Sequence, residues 1–196
     1  MEFAIPEEMK LLRRTIRKFV DNEIIPLEKV LPIDTVDLPD DILFPLQKKV
    51  KDMGLWALGV PEEHGGGGLS CLQMCWVGEE TGRCLWVGTG VARPIFGGFL
   101  WPALYECTEE QKQKYFYPSI KGERQGAFAM TEPSGGSDPA GAIQTTAVRD
   151  SDNWIINGEK CFIGNAWDDF AIVFARTDPG KPRGITCFLI DRGTPG

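Results

Sequence analysis

Apolar residues recur at three- and four-residue spacing through residues 1–122, then at every second position from Glu123 onward. The first period lays a stripe along a helix; the second marks one face of a strand. After Pro6, which suits a first helical turn, Met9, Leu12, Ile16, Phe19 and Val20 share a stripe, while Lys10, Arg13, Arg14 and Arg17 face away. Pro26 is the expected end of that helix. A second helix is expected to open at Asp40–Asp41, whose charges favour a helix N-terminus. It stacks Ile42, Leu46, Val50 and Met53, carries Pro45 in its first turns, and stops at Gly54. Ser70 with Gln73 reads as a capping box for a third helix bearing Leu72, Cys75, Trp76 and Glu79 on its apolar side. A glycine-broken segment covers Val87–Leu100. Thr108 with Gln111 caps a fifth helix that ends near Pro118.

Short strands are expected at Ala127–Thr131, Thr145–Arg149, Trp154–Ile156, Glu159–Ile163, Phe170–Arg176 and Ile185–Ile190. Asn157-Gly158 is the expected hairpin turn between the third and fourth of these. Asp178-Pro179-Gly180 supplies another turn. Helices first and strands afterwards predict an α+β fold, not alternating βαβ units. An all-helical N-terminal domain, residues 1–122, is followed by a mainly antiparallel β domain, residues 123–196.

Composition narrows the function. Of 196 residues, 42% are hydrophobic and 25% charged, which fits a globular chain and excludes general disorder. The 23 glycines and 14 prolines imply many turns and argue against a helical bundle. A net charge of −7 argues against non-specific nucleic-acid binding. No apolar run reaches the ~18 residues that cross a bilayer, and Met1–Arg14 lacks the apolar core of a secretory signal. A cytoplasmic location is expected. Six cysteines without CxxC spacing read as reduced thiols, with Cys71 and Cys75 as small buried hydrophobes. His64, the one histidine, sits beside a glycine run with no cysteine near, so it reads as part of a turn and no metal site is expected. Trp56, Trp76, Trp86 and Trp101 read as core or subunit contacts, and Lys48, Lys49 and Lys51 as a solvated face.

The segment Phe128 to Asp138 leaves a strand and enters a glycine-rich loop. Such a loop lets backbone N–H groups approach a planar or anionic ligand, and it serves equally as a plain connection held by turn chemistry. Thr131 and Ser137 add hydroxyls. Glu132 or Asp138 is placed to brace the loop by accepting N–H bonds. There is no GxGxxG motif opening a helix and no GxSxG elbow, so neither a Rossmann unit nor a serine hydrolase is supported.

Met130-Thr131-Glu132-Pro133 followed by Gly136-Ser137-Asp138 resembles the flavin-binding signature of the acyl-CoA dehydrogenase family. Trp154 to Asn165 resembles its "INGxKxxITN" segment. Met53-Gly54-Leu55 with Val60 to Gly66 resembles its "MGL…PEExGG" stretch, and Thr108 to Lys112 its "TEEQK" helix start. The likeness covers nearly the whole chain, in order. It implies FAD held against the β domain, with an acyl-CoA losing hydrogen across Cα–Cβ to give the trans-2-enoyl-CoA. By position, Phe128, Met130, Thr131, Ser137, Phe162, Ile163 and Gly164 would be cofactor-binding, and Ser137 would also reach the acyl-CoA. Two positions depart from the pattern. Gly164 replaces a hydroxyl residue and Phe162 a frequent Trp, so redox tuning is the property in question.

The resemblance also implies an electron-transfer flavoprotein-type acceptor and a homo-oligomer, dimer or tetramer. It places the catalytic glutamate in a C-terminal helical domain, so no residue of this chain is expected to be the base, and residues 1–196 alone are expected to be inactive. Glu79 reads instead as a capped or paired carboxylate. Two alternatives stay open: the same fold using oxygen as acceptor (an acyl-CoA oxidase or monooxygenase-like enzyme), and a non-catalytic partner-binding domain.

Overall fold

The computed structural model describes residues 4–86, 94–97, 100–166, 168–181 and 184–196. The chain forms two compact units, Met1–Leu100 with Ile120–Gly122, and Trp101–Ser119 with Glu123–Gly196. In the first, α1 (Glu7–Phe19) buries Met9, Ile16 and Phe19. The chain does not stop at Pro26. It widens into a π turn, Val20–Ile24, and tightens into a 3-10 turn, Ile25–Lys29, whose first turn accommodates the proline. That placement suits a residue with no N–H to donate. The second helix, α2 (Asp40–Asp52), opens on its two acids and buries Leu43, Leu46 and Val50. Leu43 therefore takes the inner place expected for Ile42, which is only half-buried. Met53 is the C-cap and 45% exposed, because the stripe ends with the helix. Gly54 follows at φ +69°, the left-handed turn that glycine adopts without steric cost.

Ser70 and Gln73 make the expected capping box on α3 (Cys71–Thr81), with the Ser70 N–H donating to Gln73 Oε1 at 2.8 Å. Its inner face differs from expectation. Val77, Glu80 and Thr81 are buried, whereas Cys71, Cys75 and Glu79 are exposed. The reason is electrostatic: Arg13 and Arg17 do not face away but reach the Glu80 carboxylate. Arg13 Nη2 lies 2.8 Å from Oε1 and Arg17 Nε 2.7 Å from Oε2. Arg13 also meets Glu79 at 2.6 Å. A charged side chain displaces apolar neighbours from the interior only when it is paired in this way. The hydrogen bond from Arg17 holds Glu80 below the usual carboxylate range against its burial. Of the expected segment Val87–Leu100, residues 87–93 and 98–99 lie outside the described residues. Pro94–Gly97 bends around a buried Ile95.

In the second unit, Thr108 caps α4 (Glu109–Gln111), which runs through a π turn, Lys112–Phe116, into α5 (Tyr117–Lys121). The helix passes Pro118 instead of ending there. Proline cannot donate to the Lys114 carbonyl one turn back, and Arg124 Nη1 donates to it instead at 3.1 Å. Arg124 and Lys114 also pair with Asp191, tying this helix to the last strand.

Five strands follow: β1 (Gly126–Ala129), β2 (Thr146–Asp150), β3 (Asn153–Asn157), β4 (Phe170–Arg176) and β5 (Ile185–Asp191). They make one mixed sheet centred on β4. Antiparallel β5 fills one edge of β4 from Phe170 to Arg176. Parallel β1, against Phe170–Val173, and β2, against Arg176, lie end to end along the other. A short helix, α6 (Pro139–Ala142), intervenes between β1 and β2, and its carbonyl ends accept from Arg176.

The β2–β3 hairpin turns at Ser151-Asp152, with Ser151 at φ +56°, and not at Asn157-Gly158. Residues 159–163 form no strand. Gly158 is required for another reason: a Cβ there would stand 2.3 Å from Thr145 Oγ1. Among the described residues no helix is long and apolar enough to cross a membrane.

Replacing Glu80 by alanine is expected to destabilise the protein by about 2 kcal/mol. That is below the ~3–5 kcal/mol typical of broken buried pairs, because the two arginines are left with access to water. A urea unfolding midpoint lowered at pH 7 would show this. An unchanged midpoint would remove the pair from the stability of the first unit.

Candidate functional site

β1 ends at Ala129, and the next three residues meet two distant parts of the chain. Lys160 Nζ donates to the Met130 carbonyl at 3.2 Å, and the Cys161 N–H donates to the Thr131 carbonyl at 3.0 Å. Both carbonyls of this stretch therefore point towards residues 160–161. In a trans peptide the N–H opposes the C=O, so the Thr131 N–H points the other way. Among the described residues, neither that N–H nor the Thr131 hydroxyl has a hydrogen-bond partner.

Glu132 holds the arrangement. Its side chain is 4% exposed and its two oxygens collect four donors. The N–H of Gln144 reaches Oε2 at 2.6 Å. Oε1 takes the Thr145 N–H at 3.0 Å, the Thr145 hydroxyl at 2.5 Å and Lys160 Nζ at 2.7 Å. Burial pushes this carboxyl up, but the bonds from Lys160, Thr145 and Gln144 outweigh it and hold it at about 2. The glycine loop closes on itself as the Gly135 N–H returns to the Glu132 carbonyl at 3.1 Å. Asp138 caps α6 by accepting from the Gly141 N–H. Both acids brace the loop as their positions in the sequence suggest.

Thr131 and the segment carrying Phe162, Ile163 and Gly164 are thus brought side by side. Phe162 sits at φ +56°, a left-handed conformation rare for a bulky residue, and its side chain is 95% exposed. Ile163 is half-buried. Gly164 is outside the left-handed region and has open space where a Cβ would project. Phe128 lies on β1, its ring stacked on Trp101 with centroids 4.4 Å apart and tilted against Phe174 at 5.0 Å. Ser137 is exposed in the loop and shares no hydrogen bond with the other candidates.

Three contributors lie outside the candidate site residues of the sequence: Lys160, Thr145 and Trp101. Lys160 stood inside the "INGxK" match, and that was its signal. Trp101, expected as a core or subunit contact, packs against the ring of Phe128. All six cysteines are free thiols, of which Cys84 alone is buried. Among the described residues no group of side chains is arranged to hold a metal ion.

Because the folded pKa of Glu132 lies below its ordinary 4.5, its ionised form stabilises the fold. That contribution is complete above about pH 4.5 and is lost as the pH falls towards 2. Its size is on the order of 3 kcal/mol. The urea midpoint is expected to drop between pH 5 and pH 3, and Glu132→Gln to flatten that drop. Equal pH dependence in the two proteins would contradict the assignment.

Residues 6–123 match the family model of the acyl-CoA dehydrogenase N-terminal domain, and residues 127–196 that of the middle domain. The chain is 38% identical to the mitochondrial short-chain specific acyl-CoA dehydrogenase of Rattus norvegicus, over 98% of this chain and 46% of that protein. An acyl-CoA dehydrogenase from Geobacillus kaustophilus superposes with a TM-score of 0.73 at 32% identity, covering 98% of this chain and 50% of the other. A glutaryl-CoA dehydrogenase from Mycobacterium smegmatis, solved in complex with FADH2, superposes at 0.70 with 27% identity, covering 98% and 47%. The chain spans about half the length of the relatives it matches. Two domains of one family, matched in order over nearly every residue, make this chain a member of the acyl-CoA dehydrogenase family.

Proposed function

We propose that the full-length protein is an FAD-dependent acyl-CoA dehydrogenase that converts an acyl-CoA to its trans-2-enoyl-CoA. The observation that carries this reading is the Thr131 peptide, turned so that its N–H and hydroxyl are available to a ligand. The donor set fits the polar edge of an isoalloxazine: one fixed N–H, one hydroxyl, and a solvated aromatic ring at Phe162. FAD, when bound, supplies acceptance of the hydride from Cβ.

The chain's own residues bind and orient. Thr131 donates to the ring edge, with Met130 beside it. Phe128, backed by Trp101 and Phe174, stiffens one wall, and Phe162, Ile163 and Gly164 form the other. Ser137, in the exposed loop, reaches both cofactor and acyl-CoA. Neither buried glutamate suits removal of the α-proton. Glu132 at about 2 is too weak a base, and Glu80 is committed to Arg13 and Arg17. An electron-transfer flavoprotein-type acceptor, a homo-oligomer and a cytoplasmic location belong to the same proposal. Family membership favours it over the oxygen-using and non-catalytic readings.

The direct test is acyl-CoA-dependent reduction of an artificial electron acceptor by the full-length protein reconstituted with FAD. A folded protein that acquires no flavin absorption band would overturn the proposal. Thr131→Pro removes the unbonded N–H and constrains Met130. It is expected to weaken FAD binding strongly, and unchanged affinity in a folded variant would release Thr131 from the role. Gly164→Thr has room for its side chain. It is expected to shift the flavin potential or its oxygen reactivity modestly, by about the 1 kcal/mol of one hydrogen bond. Identical redox titrations and oxidation rates would remove position 164 from redox tuning.

A further inference from the structure

Among the described residues, Lys160 and Glu132 form the most enclosed ion pair of the second unit, with side chains 11% and 4% exposed and 2.7 Å apart. Ion pairs at such sites are seldom retained for stability alone, since apolar residues of similar volume serve as well. This one has an additional contact. The same ammonium that neutralises Glu132 donates to the Met130 carbonyl at 3.2 Å. The cation is therefore one peptide unit from the Thr131 N–H, and the peptide dipole between them is aligned by it.

We propose that the Glu132–Lys160 pair is a positioning element for the flavin: it orients the Thr131 N–H, and its charge balance sets the reduction potential of the bound ring. This rests on the assignment of Thr131 to the flavin edge. A cation near that edge favours the electron-rich reduced ring, and an anion disfavours it. The two members of the pair therefore act in opposite directions, and deleting one exposes the field of the other. Lys160→Met removes the cation and leaves Glu132 with only its donors at Gln144 and Thr145, so the site loses positive charge. Glu132→Gln leaves a net positive site.

The test uses full-length holoenzyme, with FAD affinity followed by flavin fluorescence and the midpoint potential by redox titration. Lys160→Met is expected to weaken FAD binding about tenfold, as the Met130 carbonyl and the buried carboxylate lose their shared donor, and to lower the midpoint potential. Glu132→Gln is expected to raise the potential. Lys160→Arg, which keeps the cation, is expected to hold it near the wild-type value. Opposite shifts support the proposal, because a merely structural role would not give the two variants opposite signs. Unchanged potentials, or shifts of the same sign in folded variants, overturn it. Where Lys160→Met fails to fold, Glu132→Gln decides alone, and a potential that does not rise overturns the inference. Wild-type protein that binds no FAD overturns the underlying functional reading; wild-type binding with silent variants overturns only this one.

Discussion

A carboxylate withdrawn from water has to be met by donors from whatever segments surround it, and the second unit is arranged around that requirement at Glu132. Its four donors come from the start of β2 and from the segment after β3. Satisfying one side chain therefore fixes three stretches of backbone that local preferences would leave free. The constraint propagates further, because the Thr145 carbonyl accepts the Arg176 N–H at 2.7 Å and so registers β2 on the end of β4. The glycine loop needs few bonds of its own. It is suspended between a fixed strand end and the capped helix α6.

Glu80 solves the same problem with a different result. Its partners are side chains of α1, and Arg17 keeps half its surface in water. That cluster joins two helices. The Glu132 cluster takes two of its four donors from backbone and leaves the Thr131 N–H over. One buried carboxylate holds elements together, and the other also shapes a surface.

Much of this was legible in the chain. Helix starts at Ser70 and Thr108 follow from capping chemistry that acts within four residues, the start at Asp40 from two acids in the first turn, and β4 stands at Phe170–Arg176 as its pattern predicts. The failures share a cause. The turn assigned to Asn157-Gly158 was a local preference overridden by packing, since the glycine is there to let Thr145 approach. The face of α3 was misjudged because Glu80 looks like a surface residue until Arg13 and Arg17 are known to lie opposite. The continuation past Pro118 depends on Arg124, six residues later. The candidate residues themselves came from motif resemblance. What organises them, the bonds of Lys160 and Thr145 to Glu132, is long-range and left no periodic trace.

Phe162 carries a thermodynamic consequence. A left-handed backbone costs an L-residue roughly 1–2 kcal/mol, and the ring it holds out is almost fully hydrated. Covering a phenylalanine side chain returns roughly 1.5–3 kcal/mol, so the two quantities nearly balance. The loop is therefore preloaded: the conformational expense is met during folding, before any ligand arrives. On the proposed reading of this segment, a flavin ring covering Phe162 gains the desolvation without having to order the backbone first.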